Sequence, residues 1–108
     1  MLDPKTLDAI KSASQAKPKP QIIHIEIANG FAYGAVTIGS AGNKQAIQEL
    51  ATELGWTFRE GGTQDAGMMY RTRAEFKDGK TAISIGETIR TDLESKGFQA
   101  DSKVKGYR

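Results

Sequence analysis

Apolar and polar positions alternate most clearly between Ile22 and Ile38. Ile23, Ile25 and Ile27 are separated by His24 and Glu26, and the alternation resumes after Asn29-Gly30 through Phe31–Ile38. A period of two on both sides of a dipeptide that tolerates positive φ predicts a β-hairpin with a two-residue type I′ turn. Closing that turn sets Ile27 opposite Ala32, Ile25 opposite Gly34 and Ile23 opposite Val36, all on one apolar face. Gly34 leaves room there for a closely packed helix. The opposite face would carry His24, Glu26, Phe31, Tyr33 and Thr37.

The period then changes to that of a helix. Ile47, Leu50, Ala51 and Leu54 form one stripe over 43–54, and Gly55 stands where a left-handed cap would end it. Trp56–Glu60 reads as a short strand, with Trp56 and Phe58 on one face and Thr57 and Arg59 on the other. After the glycine-rich loop 61–67, the run Met68–Phe76, Asp78-Gly79 and Lys80–Ile85 reads as a second hairpin. A rival reading starts a long helix near Thr81, because Ile85, Ile89 and Leu93 lie four apart. With the hairpin preferred, a helix follows from about 86 to 96 and stops at Gly97. The tail 99–108 is polar and basic, and is expected to be frayed or a short edge strand.

All three prolines precede residue 21 and all 12 glycines follow residue 29. This shift divides 1–20, a helix begun by Asp3-Pro4 with a Lys-Pro-Lys-Pro connector, from an α+β domain at 21–98 and the tail 99–108. The expected fold is an antiparallel sheet, built from two β-hairpins and a short strand, with two helices on one face and a helical appendage. A chain of 108 residues with 38% apolar content closes one small core, so a homodimer is expected to supplement it. No cysteine and one histidine exclude a disulfide scaffold and a Cys/His zinc site. No run approaches the about 20 apolar residues of a membrane helix, and the first residues lack an apolar signal core. A cytoplasmic location without a membrane partner is expected.

With a net charge of +2, only a local patch would attract nucleic acid. Gly30-Phe31-Ala32-Tyr33 resembles the Gly-aromatic-small-aromatic centre of the RNA-recognition-motif signature, whose aromatics stack bases from a sheet. The resemblance covers those four residues. Asn29, Gly34 and Val36 depart from the flanking pattern, and it implies a mode of binding, not the family. Arg71 and Arg73 share one side of a strand, and Arg59 would neighbour them if its strand pairs with theirs. Phe31 and Tyr33 would stack bases while Arg59, Arg71 and Arg73 take phosphates. The same rings would equally cover a dimer interface, and alternating charge is ordinary on a solvated strand. The order helix, three strands, helix over 43–97 is similar to the double-stranded RNA-binding domain, but its Gly-Pro-x-His loop and Lys-Lys cluster have no counterparts here.

A second candidate is the loop Gly39–Lys44, where Gly39, Ser40, Gly42 and Lys44 would hold an anion at a helix start. Gly79-Lys80-Thr81 has the ending of a phosphate-binding loop, but Ala74 stands where the pattern needs glycine. No catalytic constellation, metal-ligand spacing or cofactor motif stands out. The leading expectation is non-enzymatic binding of single-stranded nucleic acid on an open sheet face. Its alternatives are a regulatory protein-interaction module (an inhibitor or adaptor) using the same face, and a nucleotide or other phosphate at 39–44.

Overall fold

The computed structural model describes residues 22–61 and 68–106, so the expected helix at 3–16, the connector 17–20 and most of the loop 61–67 lie outside the described residues. The elements are β1 (Ile23–Asn29), β2 (Gly34–Ser40), α1 (Lys44–Leu54), β3 (Thr57–Glu60), β4 (Tyr70–Phe76), α2 (Gly79–Ser95) and β5 (Ala100–Gly106). They form one α+β fold, a five-stranded sheet ordered β3-β4-β2-β1-β5 with both helices on one face. The sheet is mixed: β5 runs parallel to β1, and the other pairs are antiparallel. Among the described residues, no helix is long and apolar enough to cross a membrane.

The first hairpin keeps its faces but not its register. Ile25 pairs with Ile38 and Ile27 with Val36. The Gly30 N–H donates to the Tyr33 carbonyl at 2.8 Å, which makes Phe31-Ala32 the tip of the turn rather than Asn29-Gly30. The turn moves two residues along the chain and each cross-strand partner moves by four, an even shift, so no side chain changes face. It brings Ile38 and Val36 into the core where Ala32 and Gly34 would have stood, and the larger apolar burial outweighs the turn preference of Asn-Gly. The Gly30 carbonyl instead accepts from the Gly79 N–H at 3.0 Å, docking the hairpin on the start of α2.

Of the expected second hairpin, the first half is a strand, β4, but the residues after Asp78 form a helix, as in the rival reading. Asp78 acts as its N-cap, its Oδ1 accepting from the Thr81 N–H at 2.8 Å, and α2 buries Gly79, Ala82, Gly86, Ile89 and Leu93. That spacing is a helical stripe made partly of small residues. Gly34 does lie beneath this helix, but its pairing partner is Asn29 rather than Ile25. The α1 boundaries agree with the expected ones, with Gly55 closing the helix at φ 76°. Trp56 meets Phe76 at 6.0 Å between ring centroids, and Phe58 stacks on Tyr70 at 6.4 Å.

The bonds from Thr81, its backbone N–H first and then its hydroxyl, hold the Asp78 carboxyl below its ordinary pKa. A depressed folded-state pKa contributes stability above the unfolded value of about 4 and loses it as pH falls through the folded value. Thermal melts of wild type and Asp78→Asn should therefore differ at neutral pH, with wild type higher, and converge in acid. Coincident curves at neutral pH would show that the carboxylate charge adds nothing to a cap whose hydrogen bond asparagine also makes.

Candidate nucleic-acid interface

The strand pairings build the uncovered face directly. One row across it runs Arg59, Arg71, Gly39, His24, Asp101, and the next runs Thr57, Arg73, Thr37, Glu26, Lys103. A third carries Glu75, Ala35, Ala28 and Lys105. Arg59, Arg71, Arg73, Lys103 and Lys105 thus face Glu26, Glu75 and Asp101, an excess of positive charge. Arg59 and Arg71 are direct cross-strand partners, an arrangement that costs stability when both are cationic.

Each arginine has a different degree of freedom. Arg73 Nη1 donates to Glu75 Oε2 at 3.0 Å, and its Nη2 donates to the Tyr33 hydroxyl, which itself reaches Glu75 Oε2 at 3.1 Å. The Arg73 bond, then the Tyr33 bond, holds the Glu75 carboxyl below the ordinary carboxylate range. Partial burial works against the Arg73 charge, but the bonds to Glu75 and Tyr33 outweigh it and raise the guanidinium pKa. Arg71 Nη1 donates to the carbonyls of Gly61 and Met68, which fixes the guanidinium at the mouth of the β3–β4 loop. Arg59 forms no ion pair among the described residues.

The two aromatics part company. Phe31 is at the hairpin tip and 99% exposed, off the sheet rather than on a strand. Tyr33 immediately precedes β2 and reaches the open face through its hydroxyl. They are not the paired strand-borne rings expected from the RNA-recognition-motif likeness, because the turn consumes Phe31.

The loop at 39–44 is occupied from within. Ser40 is fully buried, and its Oγ accepts from the N–H groups of Gly42 and Asn43 at 3.3 Å and from Asn43 Nδ2 at 3.2 Å. The hydroxyl thus engages the loop donors, while the first turn of α1 has no side-chain cap. Lys44 turns to Glu60, with Nζ 3.4 Å from Oε2, and lies 5.9 Å from the Tyr70 ring centroid. Gly39 faces the open side, where a Cβ would come within 2.9 Å of the Met68 Cβ. Gly39, Ser40, Gly42 and Lys44 therefore share a corner without presenting their donors to one point.

Sequence reasoning missed Lys103 and Lys105, which parallel pairing of β5 carries onto the open face. The period-two alternation of Asp101, Lys103 and Lys105 with Ala100, Ser102 and Val104 is the signal that would have placed them. His24 Nδ1 lies 3.0 Å from Asp101 Oδ1, joining the two strands. No group of three or more metal-ligating side chains converges among the described residues. Comparison of the chain with family models, curated proteins and solved structures returns no match.

Proposed function

We propose that the protein binds single-stranded nucleic acid across the open face of its sheet, without catalysis. The observation that carries this reading is the direct opposition of Arg59 and Arg71 beside Arg73. Like charges facing each other on neighbouring strands are unfavourable alone and are relieved by a phosphate between them. Arg59 would make the primary contact, since it has no competing carboxylate among the described residues. Arg73 would exchange or share Glu75, and Lys103 and Lys105 would extend the track along β5. Phe31 offers a ring for a base at the end of that track, with Tyr33 beside it.

The exposure of Phe31 also favours a second reading, in which the tip and the open face engage a partner protein. Titrating a labelled mixed-sequence strand by fluorescence anisotropy at several salt concentrations separates the two. Neutralising three phosphates of a single strand with the arginines alone predicts a slope of log K against log[salt] of about −2, and engaging Lys103 and Lys105 as well predicts about −3.5. No saturable binding at low salt would end the nucleic-acid reading and leave the protein partner.

A further inference from the structure

The sheet has a free edge whose chemistry is self-complementary. We propose that two copies of this chain associate through the outer edges of β5, antiparallel about a two-fold axis at Ser102, and so join their sheets into one. The Ile23 N–H donates to the Gln99 carbonyl at 2.9 Å, and the parallel register pairs Ile23 with Ala100. In a parallel ladder this turns the N–H and C=O groups of Asp101, Lys103 and Lys105 toward β1. The corresponding groups of Ala100, Ser102 and Val104 point outward, and no strand pairs with them among the described residues.

An antiparallel partner strand would bond to those outward groups, and the side chains choose its register. Placing the axis at Lys103 sets two lysines against each other, and placing it at Asp101 sets two aspartates together. With the axis at Val104, Lys103 faces Lys105 of the second copy. Only the axis at Ser102 brings Asp101 opposite Lys103 of the second copy on both sides, in non-hydrogen-bonded pairs where side chains approach most closely. Lysines on an edge strand ordinarily discourage pairing; in this register Lys103 meets a carboxylate and Lys105 meets Gln99.

Apolar burial gives a second, independent reason. Val104 is 47% exposed and points to the helix side of β5, while Ala100, on the same side, is 8% exposed. The two-fold at Ser102 places Val104 opposite Ala100 of the second copy, which covers the exposed side chain. The opposite edge of the sheet, β3, has only four residues, against seven in β5. Short edges are the usual way of avoiding strand addition, so the long edge is the one left open.

Sedimentation equilibrium of the full chain over a concentration series should give a monomer–dimer equilibrium. Lys103→Asp sets carboxylates together at both ends of the interface and should raise the dimer dissociation constant at least tenfold. Combining Asp101→Lys with Lys103→Asp swaps the charges and should restore the dimer. The chain has no cysteine, so Ser102→Cys introduces a single thiol. A hydrogen-bonded antiparallel pair has Cα atoms about 5.5 Å apart, within disulfide range. Oxidation of Ser102→Cys should give a covalent dimer on a non-reducing gel, whereas Thr57→Cys on the opposite edge should not. Far-UV circular dichroism confirms that each variant is folded. A wild-type monomer at every concentration overturns the proposal. So does a dimer indifferent to Lys103→Asp, or one lost on Phe31→Ala, which would move the interface to the hairpin tip.

Discussion

Gly34→Ala is expected to destabilise the fold by about 3 kcal/mol, the upper end of overpacking costs, and Gly34→Val by more. A Cβ at Gly34 would lie 2.7 Å from the Asp78 carbonyl carbon and 2.9 Å from the Ala82 Cβ. The obstacle is backbone at the start of α2. To give way, Asp78 would have to release its cap on Thr81, and the Gly79 N–H its bond to the Gly30 carbonyl. Gly86 provides the contrast. A Cβ there would meet Ile27 Cδ1 at 2.6 Å and Cγ1 at 2.9 Å, atoms of a buried side chain rather than backbone. Alanine in a helix interior also gains about 1 kcal/mol over glycine. Gly86→Ala should therefore cost about 0–2 kcal/mol, the propensity gain offsetting part of the repacking. Urea unfolding of the two variants checks both values. Equal stability of Gly34→Ala and wild type would mean that α2 does not sit on β2 at this point.

The same close approach explains what could and could not be read from the residues alone. The faces of the first hairpin were legible because Ile23, Ile25 and Ile27 alternate with polar residues, and a side chain's face survives an even shift in register. The register was not, since Asn29-Gly30 is a good turn and nothing local reveals that Gly30 is held by α2. The helix at 79–95 was legible only as the rival reading, for a related reason. Its buried stripe includes Gly79, Ala82 and Gly86, small residues that contribute little to an apolar pattern, while Ile83-Ser84-Ile85 imitates a strand. Asp78 serves a turn and an N-cap equally well. At the candidate interface, Arg59, Arg71 and Arg73 could be placed together from period-two spacing plus one assumed pairing, and β3 and β4 do pair. Lys103 and Lys105 were harder to place, because the alternation that puts them on one face is mostly polar and the partner strand lies more than 70 residues earlier.

Separating ring contacts from charge contacts should give the largest effects on binding. Phe31→Ala is expected to weaken single-strand affinity by about 1–3 kcal/mol with the salt slope unchanged, because stacking releases no counterions. Since Phe31 is 99% exposed, its melting temperature should match wild type, so the loss cannot come from unfolding. Arg59→Ala should lower the magnitude of the slope by about 0.7, the share of one phosphate on a single strand. Removing the Arg59 cation also relieves its opposition to Arg71, so the variant should be no less stable than wild type. Glu75→Gln tests the third arginine in the opposite direction. Glu75 now competes for Arg73 at 3.0 Å, and neutralising it should tighten binding and steepen the slope. The combined pattern is specific to a phosphate track: weaker with constant slope, weaker with shallower slope, tighter with steeper slope. Anisotropy titrations of the three variants over the same salt series would read it, and a slope that ignores both Arg59→Ala and Glu75→Gln would remove the open face from the binding site.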